Sequence, residues 1–268
     1  MKIWFIFPLV FSALLIRYFL LSGLAYEFFW NWRKNKFAPR RIQKLFPKTT
    51  QLMGEVKWSL STLAIFALGS LTLYGPAMAG KTKLYFDIAQ RGWPYFVLSL
   101  GGLILAHDTY FYWAHRFMHL KWVFKHVHRI HHLSTNPSPL AAFAFHPLEA
   151  LIEGAFVGIA VYTVPLHPSA VFVFLIFSHG MNIMGHLGYE LFPSGFIQKR
   201  LLGLVTTSTH HNMHHRYFSG NYGLYFNFWD RLLKTNHPLY EKIFEEVASR
   251  PLKNTEGSLL PGHPSPTL

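Results

Sequence analysis

The sequence predicts an all-α integral membrane protein: a helical bundle with about three spans plus a helical hairpin, and a cytoplasmic histidine-rich helical cap holding a di-metal site. Three observations lead to this prediction. Of the 268 residues, 51% are hydrophobic and only 14% are charged, a balance typical of membrane proteins. The apolar residues form runs long enough to cross a bilayer. The histidines all lie at position 107 or later, most of them in short clusters.

The first span is predicted at residues 3–24, an apolar run of about the 20 residues that a bilayer requires. It is interrupted by one charged residue, Arg17. A secretory signal peptide is the alternative interpretation. The run is longer than a usual signal-peptide core, however, and it lacks a small-residue cleavage site. We therefore expect a retained membrane anchor.

The other apolar runs predict two further spans and a hairpin. Residues 56–79 and 93–113 are each long enough to span the bilayer. Residues 147–165 and 168–188 are shorter and are joined by a tight "PLHP" turn, which indicates a helical hairpin. Its two arms are expected to enter the membrane deeply, whether or not each arm crosses it completely.

Charge predicts the orientation of these helices. The net charge is +13, and the loop at residues 33–48 carries seven basic residues and no acidic residue. Basic residues that flank apolar runs are typical of a cytoplasmic membrane face, so nucleic-acid binding is not favoured. Counting spans from a cytoplasmic loop 33–48 puts residues 115–146 and 189–268 in the cytoplasm. The dense histidine clusters are therefore expected on one face of the membrane, where they can meet.

Three short motifs, "HRFMH", "HRIHH" and "HNMHH", repeat histidines at helical spacing. They contain His115 and His119, then His128, His131 and His132, then His211, His214 and His215. Residues at i, i+3 and i+4 share one helix face, whereas adjacent residues are rotated by about 100°. The two HxxHH motifs can therefore each serve two neighbouring metal ions. Eight imidazoles are too many for one ion and suit two.

The ligand types restrict the metal. The chain has no cysteine, which excludes disulfides, iron–sulfur clusters and thiolate zinc sites. All-nitrogen ligation suits zinc, copper, iron or nickel and does not suit magnesium or calcium. The H-E-x-x-H signature of zinc hydrolases and the Glu-x-x-His pairs of carboxylate-bridged di-iron bundles are both missing. This pattern favours an imidazole-rich pair of iron ions that activates dioxygen.

The motifs "HDTYFYWAHRFMH", "HRIHHLSTNPSPLAAFAFHPLE" and "HHNMHH…GNYGLYFNFWDRL" resemble the fatty acid hydroxylase superfamily, and most closely its sterol C5-desaturase-like members. The resemblance implies a membrane-embedded helical fold with a di-iron centre held by three histidine boxes. It covers roughly residues 95–240. Carried over to this sequence, it implies nine metal ligands, with His186 of "NIMGH" as the ninth. The ligands are His115, His119, His128, His131, His132, His186, His211, His214 and His215.

The domain organisation follows. Residues 1–92 are interpreted as N-terminal membrane helices with a basic cytoplasmic loop, and residues 93–245 as the catalytic domain that resembles the family. Residues 246–268, rich in Pro, Gly and Ser towards their end, are interpreted as a disordered C-terminal tail.

Several residues are expected to support the metal centre without binding metal. Asp108 and Asp230 are candidates to hold ligand imidazoles through the second ring nitrogen, and Asn182 lies one helical turn before His186. His107, His146 (together with Glu149) and His210 are candidates for supporting roles, and direct ligation by the three histidines stays open. Five aromatic residues are expected to form the wall of a substrate pocket: Phe111, Tyr112, Trp113, Phe143 and Phe145.

The implied activity is the hydroxylation or desaturation of a lipid with O2 as co-substrate. The lipid enters from the bilayer; a sterol-like substrate is favoured, and a fatty acyl, sphingoid or ether lipid is the alternative. Both reactions use the same ligands, so the motifs do not separate them. The chain has no glycine-rich dinucleotide fingerprint and no domain for a second redox group. Electrons are therefore expected from an external cytochrome b5-like or ferredoxin-like donor, docked on the basic cytoplasmic surface.

Two functions of another class stay open: a membrane zinc hydrolase, and a non-catalytic metal-binding membrane protein for storage or transport. Metal analysis and oxygen consumption on adding lipid would separate the first from an oxygenase. The second predicts polar ion-pathway residues in several spans, and apart from Arg17 and the residues around His107 the spans are apolar. The expected location is the endoplasmic reticulum or a bacterial inner membrane.

Overall fold

The computed structural model describes residues 3–253, which form helices and connecting segments with no extended strand among them. The all-α prediction is confirmed for these residues. The α-helices of five or more residues in this range are α1 (Ile3–Tyr18), α2 (Thr49–Met78), α3 (Gly92–Met118), α4 (Pro147–Thr163), α5 (Pro168–Gly185), α6 (Ser208–Tyr217), α7 (Phe228–Leu232) and α8 (Tyr240–Ala248).

Among residues 3–253, three helices are long and apolar enough to cross a membrane: Phe5–Trp32, Thr49–Met78 and Pro168–Gly185. The first continues from α1 through π-helical turns and is longer than the predicted span at residues 3–24. The third is the second arm of the predicted hairpin. The third predicted span, residues 93–113, does form helix α3, but α3 is not one of these three. Buried polar residues such as Ser99, His107 and Asp108 make it less apolar than the sequence interpretation assumed.

The hairpin forms as expected from α4 and α5. Pro147 and Pro168 occupy the first turns, where a residue without an amide hydrogen is tolerated. The residue before each proline caps its helix, because the Nδ1 atoms of His146 and His167 accept hydrogen bonds from backbone amides two residues later. The sequence therefore defines both helix starts locally.

The helices pack through two apolar clusters that meet at the hairpin. In one cluster, Leu103 and Phe111 of α3 pack against Phe156 of α4 and Phe174 of α5. In the other, α1 and α2 pack against the segment between His132 and α4, which the side chains of Tyr18 and Ser59 hold by hydrogen bonds to the carbonyl of Leu140, at 2.8 and 3.0 Å. The segment at residues 133–146 is thereby fixed across one end of the bundle.

The basic loop at residues 33–48 lies at the same end of the bundle. Its backbone bonds to the segment after α5, with the amide of Ile42 donating to Gly188 and the amide of Glu190 donating to Arg40. Gly188 has a φ of +78°, and a Cβ at this position would lie 2.7 Å from the Trp30 ring. Glycine is therefore needed for this close approach of the first span.

Helix α8 closes the described part of the chain. Its apolar face, with Tyr240 and Phe244, packs on Met213 of α6. The helix runs to Ala248, which is buried, so it extends three residues past the predicted domain boundary at residue 245. Residues 254–268, most of the segment interpreted as a disordered tail, lie outside the described residues.

Candidate metal centre

The fold brings all nine predicted ligand histidines into two compact groups. In each group, one side-chain nitrogen from every member lies within 4.8 Å of those of the other members. The five-histidine group consists of His115, His119, His128, His132 and His214. The four-histidine group consists of His131, His186, His211 and His215. All but the partly buried His119 are buried.

Each HxxHH motif contributes to both groups. His132 and His214 belong to the five-histidine group, whereas their neighbours His131 and His215 belong to the four-histidine group. This division matches the rotation between adjacent residues on a helix. Only α6 is a regular α-helix, however; the second motif runs through a π-helical turn ending at His128 and a short 3-10 turn.

The backbone and one carboxylate orient four of the ligand rings. The Nδ1–H groups of His115, His186 and His214 donate to the carbonyls of Tyr222, Asn182 and Gly220, at 2.9, 2.8 and 2.7 Å. In each case a carbonyl can only accept, so Nδ1 carries the proton and the Nε2 lone pair is free. His128 is held differently, with its Nδ1 2.7 Å from Oε1 of Glu149.

The Nε2 atoms then face one another at short range. In the five-histidine group, Nε2 of His128 lies 3.0 Å from that of His115 and 3.1 Å from that of His132. In the four-histidine group, Nε2 of His186 lies 3.2 Å from that of His211 and 3.2 Å from that of His215. Lone pairs that converge in this way repel one another unless a cation lies among them. The donor set therefore fits a pair of metal ions that prefer nitrogen ligands.

Burial keeps these imidazoles neutral. Desolvation, followed by repulsion from neighbouring imidazoles, lowers the pKa values of His128, His131 and His132 well below the usual 6.5. The same causes lower the pKa values of the three histidines of α6 in these groups. Neutral rings are the form that binds metal, so at pH 7 the ligands need not first lose protons.

Asp230 organises the loop that holds the five-histidine group. Its buried carboxylate accepts hydrogen bonds from the amides of Tyr222 and Gly223, at 3.0 and 2.7 Å, and from the hydroxyl of Thr235 at 2.7 Å. Burial alone would raise its pKa, but hydrogen bonds and the nearby His210 ring lower it below 3.8. The contribution of Asp230 to stability is therefore present at neutral pH and lost as the pH falls through this lowered pKa.

The expectation that Asp108 and Asp230 contact ligand rings directly needs correction. Oδ1 of Asp108 accepts hydrogen bonds from the amides of Tyr225 and Phe226, at 2.8 and 3.2 Å. Both carboxylates thus accept hydrogen bonds from backbone amides of residues 222–226 rather than from ligand rings. Asp230 acts on His115 through the carbonyl of Tyr222, and Asn182 acts on His186 through its own carbonyl.

The three other candidate histidines lie outside both groups. His107 lies deeper along α3, where its Nδ1 is 2.9 Å from the hydroxyl of Tyr225. His146 caps α4. Nε2 of His210 is 3.4 Å from Oδ2 of Asp230, so His210 contacts a supporting residue rather than a ligand.

Two glutamates support the site; the sequence suggested Glu149 only as a partner of His146, and it did not suggest Glu190. Glu149 holds His128, and Glu190 accepts hydrogen bonds from the backbone and hydroxyl of Thr209 at the start of α6, at 3.0 and 2.7 Å. Both glutamates are fully buried. Each is an acidic residue in a largely apolar stretch of sequence, and this could have indicated a site residue. The sequence does not show which partner each glutamate binds.

Replacement of Glu149 by glutamine is expected to lower metal affinity and activity by about 10- to 100-fold, because His128 loses the carboxylate that orients its ring. The matched control is Glu246→Gln, which changes an exposed glutamate of α8. Metal content per chain and the rate of the expected lipid oxidation are the measurements. If Glu149→Gln retained full metal content and full activity, the supporting role of Glu149 would be excluded.

An apolar cavity of about 330 Å³ lies among α1, α2, α4 and α5, against the inner face of α3. A smaller space between this cavity and the metal groups is lined by His115, His128, His131, His186 and His211. Phe111, Phe145, Glu153 and Asn182 line both spaces, so the cavity reaches the ligand rings. Of the five predicted wall residues, Phe111, Phe143 and Phe145 line the cavity. Tyr112 and Trp113 pack instead against Trp229.

These features define a class: a membrane-embedded helical protein with a histidine-based metal site beside an apolar cavity. The comparison with known families agrees, since the sequence profile of the fatty acid hydroxylase family matches residues 100–235. The chain belongs to this family. It is therefore an oxidoreductase enzyme, and its three apolar helices indicate an integral membrane protein.

Similar curated proteins are sterol-modifying enzymes. The chain is 30% identical over 233 residues to Delta(7)-sterol 5(6)-desaturase erg3C of Aspergillus fumigatus, covering 80% of this chain and 69% of the relative. It is 28% identical over 219 residues to lathosterol oxidase of Rattus norvegicus and also to that of Homo sapiens, covering 81% of this chain and 69% of each relative. No solved structure matches this chain.

Proposed function

We propose that the protein is a di-iron membrane enzyme that uses O2 to desaturate a sterol-like lipid. One observation carries this proposal: two groups of converging imidazole nitrogens adjoin the closed end of an apolar cavity. Its relatives, named lathosterol oxidase and Delta(7)-sterol 5(6)-desaturase, support a sterol substrate and favour desaturation over hydroxylation. Hydroxylation of fatty acyl, sphingoid or ether lipids is the alternative.

The nine histidines of the two groups are the proposed iron ligands. Two bound iron ions would supply the activation of dioxygen and the removal of hydrogen from an unactivated C–H bond. The chain supplies neutral rings held by Tyr222, Asn182, Gly220 and Glu149. Because such supporting hydrogen bonds fix the ring orientations, the site is built before the substrate arrives.

The cavity provides binding and exclusion of water. Its apolar wall favours binding of a hydrocarbon, because the apolar surface of the ligand is removed from water and fits closely against the wall. Phe111 and Phe145 lie where the cavity meets the ligand rings, and the Phe145 ring centroid is 5.2 Å from that of His131. A carbon that lies between these two phenylalanines is presented to the metal groups while the rest of the lipid stays in the cavity.

The electrons are proposed to come from a soluble or membrane-anchored donor at the cytoplasmic face. The basic loop at residues 33–48 lies at the metal end of the bundle, which supports a cytoplasmic metal centre by the positive-inside rule. Exposed basic residues surround this end and suit an acidic cytochrome b5-like or ferredoxin-like protein. They are Arg116, Lys121, Lys125, Arg129, Lys199, Arg200 and Arg216.

The test is oxidation of lathosterol by the purified protein in lipid nanodiscs, loaded with ferrous iron and supplied with a reductant. We expect an O2-dependent sterol product that has lost two hydrogens, detected by mass spectrometry. Matched reactions contain zinc in place of iron, or argon in place of oxygen, and should give no product. A product that is oxidised on an acyl chain, with lathosterol untouched, would establish the alternative substrate class instead.

A further inference from the structure

The apolar cavity contains one cationic side chain, that of Arg17. Arg17 lies in the middle of the first span, where a charged residue is costly unless it finds a partner. Its guanidinium carbon lies 5.7 Å from the centroid of the Phe143 ring, another cavity residue. Its Nε is buried and has no hydrogen-bond partner within residues 3–253, and none of the ion pairs in this range includes it.

A second polar side chain converges on the same place. The ring of His179, from α5, lies 4.5 Å from the Phe143 ring and also lines the cavity. Its Nε2 is 3.0 Å from the hydroxyl of Ser22, which follows Arg17 by little more than one turn. Its Nδ1 is buried and lacks a partner in the described part of the chain. The two residues therefore each leave one polar nitrogen without a hydrogen bond at a cavity lined mainly by apolar side chains.

The position of this pair relative to the metal groups is set by α5. His179 precedes the ligand His186 by seven residues, which corresponds to two helical turns and a rise of about 10 Å. Seven residues also return to the same helix face, so both side chains face the interior. Arg17 and His179 thus form a polar site in the cavity wall, the Arg17–His179 site. The metal groups adjoin a different part of the same cavity.

We infer that Arg17 and His179 bind the hydroxyl group of the lipid substrate. A hydroxyl both accepts and donates, so its oxygen can accept from the guanidinium of Arg17 while its hydrogen is donated to Nδ1 of His179. This inference rests on the proposed function, because a sterol carries one hydroxyl on an otherwise apolar rigid ring system. Binding of the hydroxyl at the Arg17–His179 site fixes which ring carbon reaches the metal groups, so Arg17 is a specificity-determining residue.

The structural alternative is that Arg17 only stabilises the packing of the first span through the Phe143 ring. A cation–π contact of this kind does not distinguish a lipid that carries a hydroxyl from one that does not. The two explanations therefore differ in ligand selectivity rather than in stability.

The experiment measures equilibrium binding of two probes to the full-length protein in nanodiscs: lathosterol and the same sterol without its hydroxyl. We expect the wild-type chain to bind lathosterol at least about tenfold more tightly, the value of one hydrogen bond to a charged group. Arg17→Met, which keeps an unbranched apolar stem but removes the guanidinium, should remove this preference. The control is Arg91→Met, since Arg91 packs over Tyr85 and Tyr95 outside the cavity.

The outcomes separate the inference from the proposed function. Equal binding of both sterols by the wild-type chain would show that the Arg17–His179 site does not bind the hydroxyl, and the proposed sterol substrate would still stand. This comparison does not require the variant to fold. Failure to bind either sterol overturns the proposed substrate and the inference with it. If the chain instead bound oleate tightly and this binding depended on Arg17, the Arg17–His179 site would bind a carboxylate, and the inference that it binds a hydroxyl would be wrong.

Discussion

Replacement of His131 by alanine is expected to reduce lipid oxidation by more than a hundredfold, beyond the effect of losing a residue that only supports a ligand. His131 is one of four members of its group, and its Nε2 lies 3.3 Å from that of His186. Removal of one imidazole leaves three ligands and opens the position to water. Iron content should fall from two ions per chain to one or fewer, measured by elemental analysis of the purified protein.

The control for this experiment is His126→Ala, which removes an exposed histidine five residues earlier in the same segment. This variant should retain both activity and iron. His132→Ala offers a second comparison, because it takes a ligand from the five-histidine group instead. If His131→Ala retained wild-type iron content and the wild-type rate, the proposed metal centre would be wrong.

Replacement of Asp230 by alanine is expected to destabilise the protein by about 3 kcal/mol or more. The change leaves the buried amides of Tyr222 and Gly223 and the hydroxyl of Thr235 without their acceptor, and unsatisfied buried groups are costly. The loop also carries the carbonyls that orient His115 and His214. We therefore expect a lower midpoint of thermal unfolding together with a loss of iron.

The matched control is Asp87→Ala, which removes an exposed carboxylate that accepts one backbone hydrogen bond, at 2.9 Å. Its effect should stay within about 1 kcal/mol, since the freed amide can bond to water. Circular dichroism during heating, with iron analysis of the same samples, compares the two variants. Equal unfolding midpoints for Asp230→Ala and Asp87→Ala would show that the loop does not depend on the buried carboxylate.

The grouping of most of these histidines could be predicted from the sequence, because the information is local. Histidines at i, i+3 and i+4 share a face whatever the rest of the fold does, and adjacent histidines diverge. His186 has no such partner nearby, and only the family resemblance indicated it. The sequence also predicted the hairpin, because two short apolar runs are joined by a tight "PLHP" turn.

Long-range partners were not accessible in this way. The bond between His128 and Glu149 joins two motifs that no periodicity relates, and the sequence did not assign it. The backbone groups that hold Asp108 belong to residues more than a hundred positions later. Helix α3 was predicted as a span by its apolar run, but its buried polar residues serve the interior of the bundle, and hydropathy alone does not show which way they face.

The division of ligands between distant segments has a consequence for biogenesis. A nascent chain that has emerged only as far as His186 lacks His214 from one group and His211 and His215 from the other. In the proposed di-iron centre, neither ion can acquire its full ligand set until residues 211–215 have left the ribosome. We therefore expect the earlier helices to enter the membrane before metallation, so that the metal is delivered to a chain that already resides in the bilayer.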